Sequence, residues 1–296
     1  MPLLTWSSSK YTFPLPNGHR FPIAKYTMLR ERVEAQGIET HDPPAATDQA
    51  LRRVHTAEYL TRFTSGALTP AEERRLGFPW SPALVERSRR AVGGTIAAAR
   101  SALTHGVSMN LAGGTHHAFA DHGEGFCVFN DIAVAIRVLQ HEGLITRGAV
   151  VDLDVHQGNG THAIFADDDS VFTFSMHGGK NYPFRKVAGT LDVELDDGTG
   201  DDAYLGALAE HLPDVLTRAS PDIVFFIAGA DPHEGDSLGR LALTFAGLAR
   251  RDAFVLEQCR EVGIPVAITI GGGYGRRIED TVSIHAETAR IAASFV

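Results

Sequence analysis

The sequence predicts an α/β protein, with a doubly wound, mainly parallel sheet and helices on both faces. Three observations lead there. Five short runs rich in Val, Ile and Phe are almost continuously apolar, as strands covered on both faces are. Longer segments with helical spacing lie between or beside them. The two kinds of segment alternate along the chain, the pattern of a strand–helix sheet.

The runs at 107–111, 149–153, 171–174, 223–228 and 265–270 read as strands. Helical spacing covers 82–103, 130–141, 201–217, 244–262 and 278–293, with Asp201 and Thr244 as expected N-caps. The stretch 177–199 has no clear periodicity and reads as a long, substrate-facing loop. The acidic, glycine-rich segment 196–202 reads as a solvated turn leading into a helix. With no internal repeat and no low-complexity linker, a single domain over 1–296 is expected.

Composition narrows the class. Of 296 residues, 44% are hydrophobic and 21% charged, which leaves little room for extended disorder and allows a large core. Cys127 and Cys259 cannot form a disulfide framework and read as reduced thiols. The N-terminus lacks a charged-then-apolar leader, and no run nears ~18 uninterrupted apolar residues, so a cytoplasmic protein without a membrane span is expected. A formal net charge of −9 opposes nucleic-acid binding and mildly favours cationic substrates.

The chemistry lies where the strands end. Ligands bind beyond the carboxyl ends of the strands in an open parallel sheet. The first strand runs into Gly113-Gly-Thr-His-His117 and the second into Asp152-Leu-Asp-Val-His156. The others run into Ser175-Met-His177, Gly229-Ala-Asp231 and Gly271-Gly-Gly-Tyr274. Side-chain alternation would put Asp152, Asp154 and His156 on one strand face, a donor set suited to a divalent metal such as zinc. One carboxylate capping a helix and a packed histidine would explain that triplet equally well. Asp231, on another strand end, supplies a third ligand and favours the metal. Asp152 is then free to orient His116 from behind.

The paired glycines before His116 and His117 allow a tight turn that brings both imidazoles near the metal. Tyr274 follows three glycines. From that motif alone a plain tight turn is the better reading, and it matches neither a P-loop nor a dinucleotide fingerprint, since Arg276 stands where the third glycine belongs.

Taken together, these segments resemble the histone deacetylase and acetylpolyamine amidohydrolase family, which shares its fold with arginase. The resemblance runs from about His19 to Tyr274. It rests on Gly113-Gly-Thr-His-His-Ala118, Gly125-Phe-Cys-Val-Phe-Asn-Asp131, Asp152-Leu-Asp-Val-His-Gln-Gly-Asn-Gly160, Ala230-Asp-Pro-His-Glu-Gly-Asp236 and Gly271-Gly-Gly-Tyr274. The run Gly18-His-Arg-Phe-Pro-Ile-Ala-Lys-Tyr26 is most similar to the class IV branch and its bacterial relatives.

The resemblance implies Asp154, His156 and Asp231 as ligands of one catalytic Zn2+. It implies His117 as general base and then acid, His116 as the assisting imidazole paired with Asp152, and Tyr274 as donor to the oxyanion. Gly125 and Phe126 would line an acyl-lysine tunnel, with Tyr182 and Leu238 opposite. Ser175, with oxygens of Asp152, Asp154 and His156, would form a K+ or Na+ site. The implied activity is hydrolysis of N-acyl-lysine, with acylated polyamines or other small amides as the alternative substrates. Oligomeric state is left open.

Asn159 departs from members that carry an aspartate there, and a neutral amide stabilises an imidazolium less. An arginase-like binuclear manganese site would need carboxylates where Gly158 and His233 stand. A silent acyl-lysine binding module would be expected to have lost a ligand, the base or the tyrosine, and all are present.

Overall fold

The computed structural model describes residues 2–296. Its eight strands are β1 (Leu4–Trp6), β2 (Glu39–His41), β3 (Val107–Asn110), β4 (Gly148–Asp152), β5 (Val171–Gly178), β6 (Leu191–Leu195), β7 (Ile223–Ile227) and β8 (Val266–Thr269). They form one sheet in the order β2-β1-β3-β8-β7-β4-β5-β6, and neighbouring strands all run parallel. The five strands read from the sequence are the five contiguous central ones.

The five expected helices are present as α5 (Pro82–His105), α6 (Asp131–His141), α8 (Asp201–Ala219), α9 (Phe245–Glu261) and α10 (Ile278–Ala292). Five more were not read from the sequence: α1 (Lys25–Ala35), α2 (Asp48–Leu51), α3 (Ala57–Ser65), α4 (Pro70–Leu76) and α7 (Asn159–Ile164). Among the described residues, no helix is long and apolar enough to cross a membrane.

Alternation along the strands feeds two cores. Val150, Phe225 and Ala267 face one side, packed with Phe63 of α3, Ile96 of α5 and Ile136 of α6. Val151, Phe226 and Ile268 face the other, packed with Val33 of α1, Leu208 of α8, Val255 of α9 and Val282 of α10. Fully burying side chains of this size stabilises the fold by roughly 1.5–3 kcal/mol each. Burial on both faces is why these strands read as unbroken apolar runs.

Two local expectations are corrected. The stretch 177–199 is not one loop: β5 continues to Gly178, and β6 pairs beside it at the sheet edge. The half-exposed Leu-Asp-Val-Glu-Leu of β6 has no continuous apolar run to announce it. Asp201 is the first residue of α8 rather than its cap, which is Gly200. Its carboxylate instead accepts the Thr244 N–H and hydroxyl, holding the start of α9. Thr244 does cap α9, accepting the Gly247 N–H. Cys127 and Cys259 are buried, free thiols.

Candidate active site

The central strands end side by side, so the polar segments that follow β3, β4, β7 and β8 converge. The expected strand-face arrangement of Asp152, Asp154 and His156 is not what brings them together. β4 stops at Asp152, and the next residues form a turn. In it the Asp154 N–H donates to Asp152 Oδ1 at 3.1 Å, and the His156 N–H donates to Asp154 Oδ1 at 3.0 Å. Aspartates readily close such two-residue turns, so the acidic spacing shapes the backbone as well as the donor set.

Asp154, His156 and Asp231 are buried and present one donor atom each within 4.8 Å of one another. Nδ1 of His156 lies 3.0 Å from Asp154 Oδ1 and 3.2 Å from Asp231 Oδ2. Tetrahedral zinc with bonds of about 2.0 Å needs donors roughly 3.3 Å apart, so the residues present fit the ion. Burial, with the negative charge of Asp154 adding to it, holds the Asp231 carboxyl above its ordinary range. Two carboxylates buried face to face call for a cation between them. The Asp231 Oδ1 accepts the Val155 N–H at 2.9 Å, and Asp154 Oδ2 accepts the Gly272 N–H at 2.6 Å, fixing both.

The turn carrying the histidine pair depends on Gly113 and Gly114, at φ +79° and +75°, a region that favours glycine. Asp131, the first residue of α6, accepts the N–H groups of Gly114 and Thr115 at 3.1 and 2.8 Å. His116 and His117 are thereby held side by side, their rings tilted by 48° with centroids 4.1 Å apart. Nδ1 of His116 donates to Asp152 Oδ2 at 2.7 Å. Nδ1 of His117 lies 2.7 Å from Asn159 Oδ1. Burial opposes the charge on His116, but the Asp152 and Asp154 carboxylates outweigh it and push its pKa up to about 9. Burial, reinforced by His116 and His156, holds His117 well below the ordinary histidine range. The neighbouring rings are thus shifted in opposite directions, His116 towards its cationic form and His117 towards its neutral one.

Tyr274 is part-buried, and desolvation of its hydroxyl followed by the Asp231 charge raises its pKa well above the ordinary tyrosine range. Its N–H donates to Asp236 Oδ2 at 2.6 Å, and Asp236 Oδ1 also takes the Leu238 and Gly239 N–H groups. Asp236 thus ties the tyrosine turn to the loop that follows Asp231.

Gly125, Phe126, Tyr182 and Leu238 line one outer cavity, with His117, His156 and Tyr274 at its base. A second cavity continues inward from the same three residues and is walled by Phe13, Phe21, Tyr26, Phe78 and Leu84. The polar groups therefore sit at the waist between a mouth and a largely aromatic interior that also holds the buried Arg87 and Ser88. Arg20, Lys180 and Arg240 line that mouth. Lys180 and Arg240 both pair with Asp197, at 3.7 and 3.2 Å. Ser175 stands beside Asp152 in the β4–β5 register, with its hydroxyl 2.9 Å from His177 Nδ1.

Sequence reading missed Asp236, Glu124 and His55. Asp236 lies within a quoted motif, and its spacing before a glycine-bounded turn was the available signal. His55 Nε2 accepts the Asn130 N–H at 3.0 Å, across 75 residues, and Glu124 accepts from the Asn159 amide at 2.7 Å. No local pattern announces either contact.

A parallel sheet with a three-donor metal cluster, a histidine pair and a tyrosine at its strand ends defines a deacetylase-type amidohydrolase. Residues 19–289 match the histone deacetylase domain family, and the chain belongs to that family. It is 49% identical over 286 residues to an uncharacterized protein of Picosynechococcus, covering 95% of each chain. It is 31% identical over 283 residues to a histone deacetylase-like amidohydrolase of Pseudomonas aeruginosa, covering 88% of this chain and 74% of that one. Its fold is similar to the crystal structure of a histone deacetylase homolog from Aquifex aeolicus, with a TM-score of 0.86 at 24% identity, over 99% of this chain and 84% of that one.

Proposed function

We propose that this chain hydrolyses the amide bond of N-acyl-lysine, using one zinc ion held by Asp154, His156 and Asp231. The observation that carries the reading is the waist between the two cavities. His117, His156 and Tyr274 line both cavities there, Asp154 lines the inner one, and Asp231 lies beside Asp154 and His156. The extended lysine side chain enters from the mouth, and the acyl group occupies the inner cavity.

Zinc at this position supplies a Lewis acid for the amide carbonyl and for the attacking water. Nδ1 of His117 faces Asn159, so Nε2 is its free base. Nε2 takes the proton from the attacking water and returns it to the lysine nitrogen as the C–N bond breaks. The Tyr274 hydroxyl donates to the carbonyl oxygen as negative charge builds there, a contribution of roughly 3–4 kcal/mol for a well-placed donor. His116, held cationic against Asp152, adds positive charge beside the reaction.

Acylated polyamines are the alternative substrates. Their further ammonium groups would meet Arg20 at the mouth, a like-charge contact that disfavours binding, while Lys180 and Arg240 there are already paired with Asp197. The sequence similarity to the class IV branch accompanies this reading without deciding chain length.

The test is a panel of acyl-lysine peptides of increasing chain length beside N-acetylated polyamines, with zinc-loaded, chelated and reconstituted protein. Peptide turnover that disappears with chelation and returns with zinc is expected. Zinc-loaded protein that binds these peptides and cleaves none would favour a silent recognition module. Two manganese ions per chain would instead favour binuclear hydrolysis.

A further inference from the structure

We propose that Glu124 is a positioning residue that fixes the proton of His117 on Nδ1, acting through the side-chain amide of Asn159. The proposal rests on the reading of His117 as the proton carrier, and it assigns a task to a carboxylate two hydrogen bonds from that ring.

The geometry is a directed chain. Asn159 Nδ2 donates to Glu124 Oε1 at 2.7 Å, and Asn159 Oδ1 faces His117 Nδ1 at 2.7 Å. A carboxamide has a donor end and an acceptor end, whereas an ionised carboxylate only accepts. Turning the Asn159 amide over would press its oxygen against the Glu124 carboxylate, lose that bond, and leave an N–H donor facing His117 Nδ1. Glu124 therefore selects the amide orientation. The amide oxygen in turn accepts only from a protonated Nδ1, which leaves the Nε2 lone pair free.

Glu124 is built to stay ionised. The Tyr182 hydroxyl donates to the same Oε1 at 2.7 Å, and His122 Nε2 lies 3.7 Å from Oε2. Burial alone would raise the Glu124 carboxyl, but its bonds from His122, Asn159 and Tyr182 more than offset that and lower it. The Tyr182 bond has a second consequence. Its ring stands nearly perpendicular to His117, with centroids 4.9 Å apart, so Glu124 also pins the tunnel wall against the imidazole.

This answers the departure at residue 159. The negative charge that an aspartate would place beside His117 is moved one side chain further out. Orientation is retained, while the imidazolium receives less direct electrostatic support.

The test combines kinetics with a direct tautomer measurement on the zinc-loaded full chain. Glu124→Ala should lower kcat about 10–100-fold, while KM and zinc per chain stay near wild type. Glu124→Gln keeps an acceptor oxygen for Asn159 without the charge and should lie between. The double variant E124A/N159D puts the carboxylate next to His117 and should recover activity lost in Glu124→Ala. A merely structural role would not be restored by that exchange. In histidine-labelled protein, 15N shifts should report Nδ1–H for His117 in wild type and a tautomer mixture in Glu124→Ala. A wild-type kcat or an unchanged tautomer in Glu124→Ala would overturn the proposal. Wild-type protein that carries zinc and cleaves no acyl amide would defeat the hydrolase reading alone, because the tautomer measurement still decides the role of Glu124.

Discussion

The carboxylate of Asp231 fills the space in which a side chain at Gly272 would begin: a Cβ there would stand 1.9 Å from Asp231 Oδ2. It would also stand 2.9 Å from Asp154 Oδ2. The glycine run before Tyr274 is therefore a close approach of backbone to two buried carboxylates, as well as a turn.

Gly272→Ala is expected to push both carboxylates out of place and weaken zinc binding at least about 10-fold. Metal content of the purified variant, measured beside its melting temperature, checks this. A folded variant that retains wild-type zinc affinity would contradict the assignment.

His117→Ala and Tyr274→Phe should separate chemistry from metal binding. Neither side chain is among the three metal donors, so each variant should hold about one zinc per chain. Tyr274→Phe should lose roughly 10²–10³ in kcat, the usual cost of removing an oxyanion donor. His117→Ala should fall at least as far, because both proton transfers pass through it. Full turnover in either variant would refute its role.

Asp236→Ala releases the Tyr274 N–H together with those of Leu238 and Gly239. The phenol is then less well placed. A fall in kcat of order 10-fold with zinc retained is expected, as for loss of a supporting contact. Combined with Tyr274→Phe, the second change should add little, since both act on one hydroxyl. Additive losses would assign Asp236 a different part.

Acid stability carries a signature of His55. An unfolded histidine titrates near 6.5, whereas burial lowers folded His55 to about 4, with only partial relief from its backbone hydrogen bonds. Between those values the unfolded chain binds more protons. The stabilisation is complete above pH 6.5 and is lost as pH falls toward 4, by up to about 3 kcal/mol. Urea unfolding of chelated protein at a series of pH values should show this slope, and His55→Gln should make it shallower, the rest coming from His117, His177 and His285, which are lowered as well. An equal slope in both proteins would remove His55 from the acid response.

The central architecture was legible because β3, β4, β5, β7 and β8 are buried, and burial writes continuous apolar runs. The strands β1 and β2, at one end of the sheet, escaped for the opposite reason. Only three residues long and partly exposed, they need no such run. The short helices α2, α4 and α7 span four to seven residues, too few for a helical period to register.

What the sequence alone determined was the chemistry and the end of the sheet at which it gathers. Asp154, His156, Asp231, the histidine pair and Tyr274 each follow a buried strand, and parallel strands point their carboxyl ends the same way. What only the tertiary structure decided was how those groups are held. Asp154 and His156 are aimed by a turn rather than by a strand face. Gly272 meets Asp231, Asp236 reaches Tyr274, and Glu124 reaches Asn159, each across tens of residues. Such contacts depend on packing at ångström precision, whereas periodicity records only which face of an element is buried.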